Sequence, residues 1–139
     1  MSQVDVETSI GYALKRTTAA LRAAMDEQLR ILDLTVSQYS SLELLARYPG
    51  ISNADLARGV FVSRQATHQL LAGLKRLELV ETDGTGRDQR LRLTPTGAKK
   101  LAVASNAVAN VEETMLTGLT PQQRESLRQA LQACVTALA

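Results

Sequence analysis

Cysteine, histidine and aromatic residues are scarce in this chain of 139 residues. It has one Cys, one His and no Trp, and aromatic residues make up 3% of it. The single Cys134 excludes an internal disulfide, and one Cys with one His cannot supply the paired ligands of a metal-sensing protein. The sequence lacks the residues for a catalytic triad or a metal site and has no clustered carboxylates for an acid–base pair, which argues against an enzyme. The sequence therefore predicts no catalytic residue, no metal and no cofactor.

Long apolar runs and a one-sided charge are also missing. No stretch is apolar enough over about 20 residues to span a membrane, and the N-terminal MSQVDVETSI lacks the basic start and apolar core of a signal peptide. We therefore expect a cytoplasmic protein with no membrane partner. Lys and Arg number 16 against 14 Asp and Glu, a formal net charge of +2, so composition alone does not indicate a nucleic-acid partner.

Apolar residues recur at helical spacing through most of the chain. This periodicity predicts a helix over about 8–32, a second from a Thr35–Gln38 capping box, and two more within 95–138 that begin at Thr94-Pro95 and Thr120-Pro121. The first helix and the last two have apolar stripes with little to bury against in so small a monomer. We expect a twofold homodimer in which these helices interleave, and a monomeric helical bundle is the alternative.

The stretch from Ser52 to Thr94 has the outline of a winged helix-turn-helix. A short helix from a Ser52–Asp55 capping box is followed by a tight turn and by a second helix. That second helix has an apolar side formed by Thr67, Leu70, Leu71, Leu74 and Leu77. Beyond it the period changes to that of strands, at Val80 and Thr82 and again at Leu91 and Leu93.

The predicted fold class is thus mainly α with a small β-ribbon (α+β), a winged helix-turn-helix with long N- and C-terminal dimerisation helices. Residues 1–139 form one domain. The DNA-binding lobe covers about 35–94, and the dimerisation helices cover about 8–32 and 95–138.

The polar side of the second helix in this stretch predicts contact with double-stranded DNA. Arginine pairs with guanine, glutamine with adenine, and histidine or serine with a base edge or a phosphate. The ribbon tip carries arginines, which suit the negative potential of a narrow minor groove. The alternatives are an ordinary solvated helix face and a hairpin that is merely charged. The candidate major-groove residues are Ser63, Arg64, Gln65, His68 and Gln69, and the candidate wing residues are Arg87 and Arg90.

Several short motifs, in this order and spacing, resemble the MarR (multiple antibiotic resistance regulator) family of transcription factors. They are Leu34-Thr35, Asn53-Ala54-Asp55-Leu56-Ala57, Val62-Ser63-Arg64-Gln65, Leu70-Leu71 with Leu74, Leu79-Val80, and Leu93-Thr94-Pro95-Thr96-Gly97. The resemblance implies an obligate homodimer on a near-palindromic operator, with the recognition helix in the major groove and the wing in the minor groove. It also implies repression that is relieved by a small aromatic ligand or by oxidation.

Two departures from the family pattern stand out. Glu78 occupies a position that is commonly glycine in the family, so a positive φ kept there would be strained. The wing is also short, because Asp88-Gln89-Arg90 lies directly before Leu91-Arg92-Leu93-Thr94. Either Arg87 or Arg90 could therefore be the wing-tip contact.

The resemblance also directs attention to an effector pocket and to the lone cysteine. It implies an aromatic-ligand crevice between the dimer helices and the DNA-binding lobe, for which we name Tyr12, Met25 and Tyr39, although Tyr39 could equally be plain core. Cys134 lies among small apolar residues near a helix C-terminus, so we predict that it is buried and structural rather than a redox sensor. A winged helix that binds a protein instead of DNA is the alternative function.

Overall fold

A computed structural model describes residues 2–60, 62–84 and 89–139. These residues form six helices and one pair of strands. In chain order they are α1 (Ile10–Arg30), α2 (Val36–Arg47), α3 (Asn53–Gly59), α4 (Arg64–Arg76), β1 (Val80–Asp83), β2 (Arg90–Leu93), α5 (Pro95–Met115) and α6 (Pro121–Leu138). The predicted class, mainly α with a small β-ribbon, is confirmed.

Each helix begins at a serine or threonine whose hydroxyl accepts a hydrogen bond from the backbone N–H three residues later. Such a cap satisfies an otherwise unpaired N–H and contributes about 1 kcal/mol. Thr35 with Gln38 and Thr120 with Gln123 form complete capping boxes, as predicted. At Ser52 the hydroxyl accepts from the Asp55 N–H, but the Asp55 carboxylate pairs with Arg58. The six caps are Ser9, Thr35, Ser52, Ser63, Thr94 and Thr120.

The β-ribbon is antiparallel, and its register places Val80 opposite Leu93 and Thr82 opposite Leu91. Val80 and Leu91 are buried, while Arg90 and Arg92 point to solvent, which matches the predicted alternation. A further backbone bridge joins Leu91 to Ile51, just before α3. The ribbon is therefore tied to the start of the helix-turn-helix, a connection that the sequence did not predict.

One hydrophobic core joins the helix-turn-helix and the ribbon to α1 and α5. Its fully buried side chains come from six different elements, so α1, α2, α3, α4, β2 and α5 are held as one unit. Ala104 of α5 is also buried within this cluster. The fully buried leucines are Leu29, Leu42, Leu45, Leu56, Leu74 and Leu91.

The junction between α4 and β1 is clamped to the start of α5. Glu78 adopts a φ of 61°, and its carbonyl accepts a hydrogen bond from Thr94 Oγ1 at 2.6 Å. The Thr94 N–H donates to the Leu79 carbonyl at 3.1 Å. A Cβ added at Gly97 would lie 2.0 Å from that same carbonyl oxygen. Only glycine therefore allows α5 to approach the wing so closely.

Two side chains lie differently from their prediction. Leu77 was assigned to the buried side of α4 but is 48% exposed. The helix ends at Arg76, and the left-handed turn at Glu78 brings Leu79 instead into the core. Cys134 was predicted to be buried but is exposed in the single chain. No residue of α6 is buried in the single chain, so the apolar residues around Cys134 do not cover its side chain.

Much of the exposed apolar surface lies on the helices that we assigned to dimerisation. Ile10 at the start of α1 is 77% exposed. The four residues of the apolar stripe of α6 are between 38% and 90% exposed. Exposed patches of this kind mark interfaces, since monomers rarely leave them open to water. The α6 residues are Leu127, Leu131, Val135 and Leu138.

Candidate nucleic-acid interface

Helix α4 presents a polar face because its opposite side is fixed in the core. Thr67, Leu71 and Leu74 are buried, and the Thr67 hydroxyl donates to the Ser63 carbonyl at 2.9 Å. The other side of the first two turns is open to solvent with no side-chain ion pair within the described residues. The exposed residues are Ser63, Arg64, Gln65, His68 and Gln69, which are all five of the predicted major-groove residues.

Ser63 caps the start of α4 and retains a hydrogen-bond donor. Its Oγ accepts a hydrogen bond from the Ala66 N–H at 3.1 Å and so caps the helix. The hydroxyl proton is not used in this contact, so it can be donated to a phosphate oxygen. The unpaired N–H groups of the first turn give the same helix end a partial positive charge.

A cavity of about 550 Å³ opens between the start of α3, the first turns of α4 and the residue before β2. Its lining includes Arg64 and His68, which lie one helical turn apart. Within the described ranges, the lining contains no acidic residue. The other residues of the lining are Ser52, Asn53, Ala54, Thr67 and Gln89.

Asn53 is the residue of this cavity that sequence reasoning missed. Its Oδ1 is buried and has no hydrogen-bond partner in the described part of the chain. A buried acceptor without a partner is uncommon and costs free energy, so it is often found where a ligand binds. The signal in the sequence was its polar side chain beside Ser52, but we assigned only Ser52 and Asp55 to helix capping and named Asn53 only within a family motif. Gln89 was overlooked because it lies next to the wing arginines.

The wing arginines differ in their partners. Arg92 is held by Asp83, with Nε 2.7 Å from Oδ2. Arg90 lies opposite Asp83 in the ribbon, and its exposed side chain forms no ion pair within the described ranges. Arg87 lies outside the described residues. Arg90 is thus the described arginine that is available to an external anion.

Tyr39 lies on the buried side of α2, where this helix meets α5. Its hydroxyl donates to Glu43 Oε2 at 2.9 Å, and Ser105 of α5 lies 3.4 Å from the other carboxylate oxygen of Glu43. Burial is the largest cause that raises the pKa of Tyr39; a hydrogen bond with Ser105 opposes it, and the Glu43 carboxylate adds to it. The phenol is therefore a neutral hydrogen-bond donor at physiological pH.

The other two predicted pocket residues both lie on α1 but far apart. Met25 is partly buried and packs on the core that contains Tyr39, whereas Tyr12 is 42% exposed near the helix start. At 1.5 Å per residue, Tyr12 and Met25 are about 20 Å apart along the helix. One protomer therefore does not bring both residues to one small pocket.

The described residues contain no group of three His, Cys, Asp or Glu side chains that could hold a metal ion. In the same part of the chain, no helix combines the length and apolar character needed to cross a membrane.

A polar, capped recognition helix, a supporting helix before it and a charged β-ribbon after it define the winged helix-turn-helix class of DNA-binding proteins. The family profile described as MarR family matches residues 32–91, from the end of α1 to β2. The chain is also 33% identical over 126 residues to the HTH-type transcriptional repressor Rv2887 of Mycobacterium tuberculosis, with 88% of this chain and 91% of that protein covered. The chain belongs to the MarR family, whose members are transcriptional regulators rather than enzymes.

Solved structures agree with this assignment. A MarR-family transcriptional regulator from Silicibacter pomeroyi superposes with a TM-score of 0.87 at 21% identity, over 100% of this chain and 96% of that one, which supports the fold. Rv2887 in complex with DNA superposes with a TM-score of 0.78 at 28% identity, covering 91% of this chain and 98% of that one. Rv2887 in complex with salicylic acid superposes with a TM-score of 0.76 at 29% identity, covering 91% and 96%.

Proposed function

We propose that this protein is a homodimeric transcriptional repressor that binds a near-palindromic operator in the cytoplasm and releases it when a small aromatic acid binds. The observation that carries the proposal is the exposed row of Arg64, Gln65, His68 and Gln69 on a helix whose other side is locked in the core. These residue types hydrogen-bond to base edges and phosphates, and α4 is narrow enough to enter a major groove about 12 Å wide.

The proposed dimer follows from the exposed apolar stripes of α1 and α6. Burying them between two copies would place two α4 helices about 34 Å apart, one turn of DNA, which suits a near-palindromic site. Arg90 would then reach the minor groove beside each half-site, with Arg87 as the other candidate. The DNA complex of Rv2887 supports this mode of binding, because it shares both fold and sequence with this chain.

The proposed effector site is the region around Tyr39 and Met25, below α5. The Tyr39 hydroxyl is already paired with Glu43, so a ligand carboxylate there would have to displace the Glu43 carboxylate or bind beside it. The salicylic acid complex of Rv2887 supports an aromatic acid as the ligand class. Binding would relieve repression only if the ligand preferred an arrangement in which the two α4 helices no longer match the groove spacing.

Site selection from random duplexes, followed by affinity measurements on variants, tests the DNA-binding proposal. Arg64→Ala and Gln65→Ala should each cost about 1–3 kcal/mol on the selected site and relax the base preference at one position. Arg90→Ala should weaken binding to all duplexes alike. Arg76→Ala is the matched control, because it removes the same charge from α4 about 18 Å further along the helix. Equal losses for Arg64→Ala and Arg76→Ala would contradict base recognition by the start of α4.

A titration of the protein–DNA complex with salicylic acid and related aromatic acids tests the effector proposal. DNA should be released, and Tyr39→Phe should raise the concentration of acid that is required. Tyr12→Phe removes the same hydroxyl about 20 Å away from Met25 and should leave the titration unchanged. A response that changes with Tyr12→Phe and not with Tyr39→Phe would place the ligand elsewhere.

The alternative is a winged helix that binds a protein and not DNA. No described contact of α4 favours it, and it predicts that duplex DNA does not bind or binds with only a weak dependence on salt.

A further inference from the structure

The cavity between α3, α4 and Gln89 has the composition of an anion site. Of the described residues, Arg64 and His68 are the titratable or charged side chains in its lining, and they share one face of α4 because they are four residues apart. The nearest charged residues of α3 in the sequence, Asp55 and Arg58, pair with each other. Among the described residues, no carboxylate of the lining therefore competes for an incoming anion.

The uncharged side chains of the cavity differ in whether their hydrogen-bonding groups already have partners. The Ser52 hydroxyl oxygen already caps α3, and the Thr67 hydroxyl donates to the Ser63 carbonyl. Asn53 has a buried Oδ1 with no partner among the described residues. The Nδ2 amino group of Asn53, a residue of the lining, has no hydrogen bond within the described residues and is a donor for an oxyanion.

We propose that this cavity seats one phosphate of the DNA backbone and that His68 is its proton-dependent ligand, so that protonation of His68 tightens binding to duplex DNA of any sequence. The inference rests on the proposed function and adds to it a control by pH. It assigns His68 to the phosphate and not to a base edge, and it leaves Arg64, whose side chain also lines the cavity, with the base contact proposed above.

The physical reason is the charge of the imidazole. An imidazole ordinarily gains its proton between about pH 8 and pH 5, and the protonated ring offers two N–H donors and a positive charge. A phosphate beside it stabilises the charged form, so the pKa of an imidazole rises on binding. If DNA binding raises the pKa of an imidazole by about one unit, DNA binds about tenfold more tightly per subunit at pH values below the pKa in the free protein. This gain in affinity is lost as the pH rises through the pKa in the DNA complex.

A base-edge role for His68 makes a different prediction. A histidine that reads a base contributes only where that base is present, so its proton would alter binding to the operator and not to unrelated DNA. A phosphate is present in every duplex, so its contact is independent of sequence. The dependence of the pH effect on DNA sequence therefore separates the two roles.

The experiment measures the dissociation constants of the full-length protein for a selected duplex and for a scrambled duplex, at about pH 6 and about pH 8 and constant ionic strength. We expect the wild type to bind both duplexes about tenfold more tightly per subunit at the lower pH. The plot of log affinity against log salt should also be steeper at the lower pH, by about one unit per subunit.

Two substitutions of the same residue are decisive. His68→Arg carries a permanent charge, so its affinity and salt slope should stay at the low-pH level at both pH values. His68→Gln carries none, so both quantities should stay at the high-pH level. Gln69→Ala is a neighbouring control that should weaken binding to the selected duplex and keep the pH effect.

A wild type that binds its selected duplex equally well at both pH values would overturn the inference and leave the proposed function intact. So would a pH effect that is confined to the selected duplex, or one that persists in His68→Gln. A wild type that binds neither duplex at either pH would instead overturn the proposed function itself.

Discussion

Replacing Glu78 by glycine should stabilise the protein. Glu78 has a φ of 61°, in the left-handed region where a Cβ is crowded by the backbone. The conformation is imposed by its surroundings, because the Glu78 N–H donates to the Lys75 carbonyl at 2.9 Å and the Glu78 carbonyl accepts from Thr94. Its exposed side chain has no hydrogen bond or ion pair in the described part of the chain, so its removal costs no such contact.

The magnitude follows from two opposing effects. The left-handed conformation costs a residue with a Cβ about 1–2 kcal/mol, which glycine recovers. Glycine also makes the unfolded chain more flexible, which lowers stability by about 0.4–1 kcal/mol. We therefore expect the free energy of unfolding to rise by about 0.5–1 kcal/mol. For a chain of this size this corresponds to an increase in Tm of about 2–4 °C.

Urea unfolding at one fixed protein concentration measures the change, since the stability of a dimer depends on concentration. Asp33→Gly is the matched control, because Asp33 has a similar φ of 57°. Aspartate tolerates this region better than glutamate, so Asp33→Gly should stabilise less. An unfolding free energy of Glu78→Gly equal to or below that of the wild type would refute the assignment of strain to Glu78.

Three further results are expected. Gly97→Ala should lower the free energy of unfolding by about 3 kcal/mol or prevent folding, because the added Cβ would meet the Leu79 carbonyl oxygen at 2.0 Å; circular dichroism melts check this, and a wild-type Tm would contradict it. Leu131→Asp should give monomers in sedimentation velocity, since it places a charge in the exposed apolar stripe of α6; an intact dimer would move the interface away from α6. Peroxide should leave DNA binding of the wild type and of Cys134→Ser equally intact, because Cys134 lies on α6 and not on α4 or the ribbon. A loss of binding confined to the wild type would make Cys134 a sensor.

The parts of the fold that follow from local patterns were predictable from the sequence. Thr35 and Thr120 begin helices because capping is a contact between residues three apart. The exposed row on α4 was predictable for a similar reason, since one buried side at helical spacing determines which residues face away. The alternation of Val80 and Leu91 with polar neighbours likewise located both strands.

Contacts between segments distant in the chain were not predictable in this way. The bridge from Ile51 to Leu91 and the meeting of Asn53 with Arg64 and Gln89 depend on tertiary packing, which periodicity does not encode. Leu77 was misassigned because the end of α4 is set by the left-handed turn after it. Cys134 was misassigned because an apolar stripe does not tell whether its partner is in the same chain or in a second copy.

The affinity of the protein for its selected duplex, compared with a scrambled duplex at the same salt concentration and pH, tests the central claim most directly. We predict that one dimer binds the selected duplex at least about 10³-fold more tightly, which is the lower end of the range for specific DNA-binding proteins. Equal affinities for the two duplexes, or no binding to either, would contradict the assignment of α4 as a helix that reads DNA sequence.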